Sequence, residues 1–195
     1  MSKVRSDSNA FTYPMPMTLV GVGRPTHEGG LVSTRIQLVS QSRHNRLAFL
    51  GWLLLTFLAS ATGVFVKTGG WYASLVKPSW NPPGWVFGPV WTLLYAMMAV
   101  AAWLVWREGG WKAQKRALIL YLVQWALNAL WTPLFFGLQR PGWAFAEILV
   151  LAVAVYATLV AFWKVRRGSG ILLVPYALWT TFAAVLNFTI WRLNT

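Results

Sequence analysis

Indole, phenol and amide side chains recur at helical spacing along three apolar stretches of this 195-residue chain. Trp91, Tyr95, Met98 and Ala102 fall on one face of the first; Gln124, Asn128, Trp131 and Phe135 do so on the second; Trp179, Ala183 and Asn187 follow at four-residue steps on the third. Residues three and four apart share a helix face. Rings facing one space can stack on a flat, conjugated ligand while amides fix its polar groups. The same amides can equally bond helix to helix, because lipid offers them no partner. Spacing alone leaves both readings open.

Other chemistries are excluded by what the chain lacks. It has no cysteine, so disulfides, thiolate catalysis, Fe–S clusters and zinc thiolates are ruled out. Both histidines, His27 and His44, precede the apolar body, which therefore has no imidazole for a base or a haem ligand. No metal site, no covalent cofactor and no conventional catalytic centre are expected. Of the four acidic residues, only Glu108 and Glu147 lie in the body. Glu108 abuts Arg107 and reads as a solvated loop charge. Glu147 lies one turn inside an apolar run, where an ionisable group suggests function. Near a helix start it can also reach interfacial water or pair with Arg140, and this structural role is preferred.

The elements that position these residues follow from the apolar runs. The chain is 57% hydrophobic and 11% charged, and all fourteen tryptophans follow residue 46. Five runs, Leu47 to Val66, Phe87 to Trp106, Ala117 to Phe136, Trp143 to Trp163 and Ile171 to Trp191, each approach the roughly 20 residues needed to cross a bilayer. The expected fold is an all-α integral membrane bundle of five transmembrane helices with a structured loop, Lys67 to Val86, between the first two. In that loop Asn81 can cap a helix whose first turn takes Pro82 and Pro83. Gly109-Gly110, Gly137 with Pro141-Gly142, and Gly168-Ser169-Gly170 read as turns. Pro89, Pro133 and Pro175 are expected to interrupt and bend their helices. Ala59 and Gly63 form a small-xxx-small pair compatible with internal packing or a homodimer.

Charge sets the expected orientation. Thirteen of the 17 basic residues fall in the first 46 residues and in the second and fourth loops, leaving Lys67, Lys77, Arg140 and Arg192 on the other side. The positive-inside rule then places the amino terminus in the cytoplasm and the carboxyl terminus outside. Anionic headgroups attract these flanking bases, so the net charge of +13 points to membrane lipids and not to nucleic acid. Residues 1–46 read as a basic, mostly disordered extension, with a targeting peptide or membrane tether as alternatives, and 47–195 as the membrane domain.

The stretch WYASLVKPSWNPPGWVFGPVW, Trp71 to Trp91, resembles the signature of the translocator protein or tryptophan-rich sensory protein family, also called peripheral benzodiazepine receptors. QWALNALWTPLFF, Gln124 to Phe136, and PYALWTTFAAVLNFTIWRLN, Pro175 to Asn194, support it. The resemblance implies a five-span bundle whose first loop lids a pocket for porphyrins or haem-like tetrapyrroles, and often for sterols and benzodiazepine-type ligands. It maps the pocket onto Tyr72, Pro82, Pro83, Trp91, Tyr95, Asn128, Trp131, Trp179 and Ala183. It also implies that the indoles Trp91 and Trp179 could support light-dependent degradation of a bound porphyrin, with the macrocycle doing the photochemistry. The sterol motif departs from the family pattern, since Phe188 stands where its tyrosine is expected. The function expected on this basis is a membrane receptor or sensor for tetrapyrroles; the alternative is a carrier moving porphyrins or sterol-like lipids across or between leaflets.

Overall fold

A computed structural model describes residues 44–64 and 69–195, and every regular element in them is helical. The described part of α1 covers 44–58, and after a turn at Ala59 and Ser60 the short α2 covers Ala61–Val64. Helix α3, Gly69–Ser74, occupies the first loop. Four long helices follow: α4 (Gly84–Arg107), α5 (Gly110–Thr132, continued by a π-helical turn over Pro133–Gly137), α6 (Pro141–Val165) and α7 (Arg167–Leu193). Each of these four is long and apolar enough to cross a membrane.

The described residues thus hold four membrane-length helices where five spans were expected. The first expected span falls on α1 and α2, and its last two residues lie outside the described ones, as do residues 1–43 of the basic extension. The break between α1 and α2 is closed by tight turns: Ala59 and Ser60 N–H donate to Thr56 and Phe57 carbonyls, and the Ser60 and Thr62 hydroxyls donate to Phe57 and Ala59 carbonyls. Ala59 is buried and faces into the bundle, in keeping with internal packing; the side-chain surroundings of Gly63 lie outside the described residues.

Helix α6 packs against α5 and α7, and α4 closes the ring against both. The core at the basic end is tightly filled. Ala99, Ala101 and Ala102 on α4 have no exposed surface and let neighbouring helices approach closely. Tyr121 stacks on Phe162 at 5.8 Å, and Trp52 meets the edges of Trp106 and Tyr121. The Thr56 and Tyr121 hydroxyls share a hydrogen bond, and Trp103 Nε1 donates to the Asn45 carbonyl, so polar ties join α1 to α4 and α5. Large apolar side chains such as Leu54, Trp143 and Val153 stay exposed on the outer surface, as lipid-facing positions should.

Several local expectations are corrected. Helix α4 begins at Gly84 with Pro83 at its N-cap, so Asn81 does not cap it; its amide accepts from Tyr72 Oη and donates to the Pro82 carbonyl. Pro89 and Pro175 lie inside continuous helices, whereas Pro133 marks the passage from α to π geometry. Gly168-Ser169-Gly170 is the first turn of α7 and not a loop; the connection shrinks to the extended Arg166. Gly170 is there for close approach, since a Cβ would lie 2.7 to 2.9 Å from Trp163 atoms. Glu108 makes the one ion pair among the described residues, with Arg166 at 3.0 Å. Glu147 is buried on α6 and does not pair with Arg140; among the described residues neither carboxylate oxygen has a hydrogen-bond partner.

Candidate ligand-binding site

The ring of long helices parts toward the end that carries α3, leaving a cavity of about 590 Å³. Its walls come from α4 (Phe87, Trp91, Tyr95), α5 and its π turn (Asn128, Trp131, Phe135, Phe136), and α7 (Trp179, Ala183, Asn187). Tyr72 and Ala73 of α3 close it from above, and Ile148 and Leu151 of α6 line its far side. Among the described residues, no charged side chain borders it.

Helical spacing explains the placement. Phe87, Trp91 and Tyr95 stand at four-residue steps on α4, so one face presents three rings. Trp91 leans on Tyr95 at 5.2 Å and meets the edge of Tyr176 at 6.2 Å. Phe87 meets the edge of Trp179 at 5.9 Å, and Trp131 stacks on Phe135 at 5.0 Å. Rings packed edge to face hold one another's orientation, which gives a ligand fixed aromatic walls.

The amides sit where these walls meet. Asn128 Oδ1 accepts from Tyr95 Oη at 3.0 Å, while its Nδ2 donates to Tyr176 Oη at 3.1 Å. Asn187 Oδ1 accepts from Trp131 Nε1 at 3.2 Å, and its Nδ2 donates to the Pro141 carbonyl at 2.8 Å. Both amides therefore bond helix to helix and border the cavity at once. Gln124 is buried as its spacing required, yet it lies one turn deeper, does not line the cavity, and finds no partner among the described residues for either amide atom.

Over the cavity, Tyr72 Oη donates to Asn81 Oδ1 at 3.1 Å, and its ring meets the edge of Phe136 at 5.4 Å. Burial raises the Tyr72 pKa above its ordinary value, an effect partly offset by the hydrogen bond to Asn81. At neutral pH this phenol is therefore a neutral donor.

Of the nine residues assigned to a pocket from the sequence, seven border this one cavity: Tyr72, Trp91, Tyr95, Asn128, Trp131, Trp179 and Ala183. Pro82 and Pro83 do not, and Gly84 takes their place in the wall. Met98 and Ala102, on the Trp91 face, belong to the packed core below. Phe87 and Phe136 were not foreseen; the four-residue step from Phe87 to Trp91 is the signal that could have found the first. Ile148 and Leu151 had none, because in a helix as uniformly apolar as α6 no contrast marks the inward face.

A sequence model of the TspO/MBR family matches residues 49–192. The chain belongs to the TspO/MBR family. It is 45% identical over 147 residues to the tryptophan-rich sensory protein of Cereibacter sphaeroides, covering 73% of this chain and 91% of that one. It is 44% identical over 140 residues to protein CrtK of Rhodobacter capsulatus, covering 70% and 86%. It is 46% identical over 126 residues to the human translocator protein, covering 64% and 75%. Family membership and the four apolar helices together make the chain an integral, multi-pass membrane protein.

Proposed function

We propose that this TspO/MBR protein is a membrane receptor or sensor that binds tetrapyrroles such as protoporphyrin IX or haem in the aromatic cavity. One observation carries the reading: Trp91, Trp131 and Trp179 from three different helices converge, with Tyr95 and Asn128, on one cavity of about 590 Å³ that no charged side chain borders among the described residues. That volume falls within the roughly 300–1,000 Å³ of small-molecule sites, and the lining is of the apolar kind with few polar groups that such sites use. The name of the Cereibacter sphaeroides relative, a sensory protein, points the same way. In this reading residues 47–66 supply the fifth span, residues 47–195 are the binding unit, and the amino terminus faces the cytoplasm. Light-dependent breakdown would be a property of the bound porphyrin, with Trp91 and Trp179 as nearby electron-rich partners. The name of the human relative, a translocator protein, supports a second reading in which the same cavity serves a carrier.

The test is a titration of detergent-purified protein with protoporphyrin IX, following indole fluorescence in the dark and under light. Saturable quenching in the dark is expected, weakened up to about tenfold by Trp91→Phe or Trp179→Phe, the scale of one aromatic contact. Quenching that never saturates would overturn the tetrapyrrole reading. Loss of porphyrin absorbance under light, abolished by the same substitutions, marks photodegradation, and porphyrin flux into proteoliposomes marks a carrier.

A further inference from the structure

We propose that Asn194, outside the aromatic cavity, is the latch that holds the lid shut and so sets how fast a ligand enters and leaves. The proposal rests on the cavity being a binding site. The lid is the segment 69–81, in which α3 brings Tyr72 and Ala73 into the cavity wall. This segment is tied together internally. Lys77 Nζ donates to the Leu75 and Ala73 carbonyls at 2.8 and 3.3 Å and lies 4.8 Å from the centre of the Tyr72 ring, while Tyr72 Oη donates to Asn81. Such a segment moves as a unit.

Among the described residues, the hydrogen bonds joining that unit to the long helices all run through one side chain. Asn194 Oδ1 accepts from the Val76 N–H at 2.9 Å, and Asn194 Nδ2 donates back to the Val76 carbonyl at 2.9 Å. The side-chain amide thus pairs with a backbone residue 118 positions away much as a neighbouring strand would. Its second N–H donates to the Ile190 carbonyl at 2.7 Å, and its own backbone N–H donates to Trp191. The latch is therefore mounted on the end of α7, the helix that also carries Trp179, Ala183 and Asn187. Acceptor and both donor hydrogens are engaged, so Asp at this position loses both donors and Ala loses every bond. The remaining aromatic ties of the lid are ring contacts: Trp71 and Tyr72 to Phe135 at 5.6 and 6.2 Å, Tyr72 to Phe136 at 5.4 Å, and Trp80 to Phe182 at 5.9 Å. These are apolar contacts without the directionality of the amide pair, and they can slide.

The experiment compares full-length wild type, Asn194→Ala, Asn194→Asp and the control Thr195→Ala. Amide hydrogen exchange of the 75–77 segment is measured by mass spectrometry without ligand, and protoporphyrin IX association and dissociation by stopped-flow indole quenching. Asn194→Ala should speed exchange at 75–77 by about tenfold or more, the effect of losing both exposed lid bonds, while Asn194→Asp, which still accepts from the Val76 N–H, should speed it less; exchange in α4 to α6 should be unchanged. Both porphyrin rate constants should rise together, so that Kd moves less than either. Unchanged exchange at 75–77 overturns the latch, and so does faster exchange with unchanged porphyrin rates. If wild type shows no saturable quenching, the tetrapyrrole reading and the claim about ligand rates fall together, while exchange at 75–77 still decides whether Asn194 holds the lid.

Discussion

Replacing Asn128 by Leu tests the joint between the cavity and the bundle most directly. Asn128 is 6% exposed, and the two phenols it bridges, Tyr95 and Tyr176, are 7% and 1% exposed. The substitution deletes two hydrogen bonds, at 3.0 and 3.1 Å, and leaves the buried Tyr95 hydroxyl without its protein acceptor. The bond to Tyr176 contributes about 1 kcal/mol net, and stranding the Tyr95 donor costs about 1–3 kcal/mol in place of the other bond, so a loss of roughly 2–4 kcal/mol is expected. A double-mutant cycle with Tyr95→Phe isolates the Tyr95–Asn128 bond, for which side-chain hydrogen bonds in membranes suggest a coupling of about 0.6–1.7 kcal/mol. The assay is reversible unfolding in mixed micelles, read by near-ultraviolet circular dichroism. Gln124→Met, one turn away on the same helix, is the internal comparison: with no protein partner to lose, it should cost clearly less than Asn128→Leu. A coupling indistinguishable from zero, or a Gln124→Met loss equal to that of Asn128→Leu, would refute the assignment of bonds on this face.

Two further outcomes are expected. Gly170→Ala should destabilise by about 1–3 kcal/mol, because its Cβ would sit 2.7 Å from a Trp163 side-chain atom, whereas Gly168→Ala meets nothing within 4 Å and should be neutral or stabilising by up to about 1 kcal/mol; thermal melts of both in the same detergent check this. Glu108→Gln should cost less than about 1 kcal/mol, and 1 M salt should erase most of the difference from wild type, because the Arg166–Glu108 pair is nearly half exposed on both sides.

Sequence spacing reached far into the site. Trp91 and Tyr95, Asn128 and Trp131, and Trp179 and Ala183 were paired on their faces by the helical repeat alone, and all six border the cavity. Spacing could not say how deep the cavity extends along each face, so Met98 and Gln124, on the same stripes, turn out to lie below it. Nor could it separate the two roles open to the amides. Asn128 and Asn187 bond helices and edge the cavity together, a result that depends on which phenol, indole or carbonyl the neighbouring helix brings within reach. Glycine was the least legible residue: Gly109, with φ of 111°, does make the turn its sequence suggests, while Gly170 sits in a helix and exists for contact with Trp163.

By itself the sequence determined the solvent, the secondary structure and the faces. Long charge-free runs leave a backbone in lipid no alternative to the helix, and the 3.6-residue repeat then fixes which side chains share a side. Tertiary structure decided what those sides meet. Convergence of three indoles on one cavity, the idle amide of Gln124 and the Asn194 pairing with Val76 across 118 residues all depend on the relative depth and rotation of packed helices. Those are set by close contacts between residues far apart in the chain, and no local pattern records them.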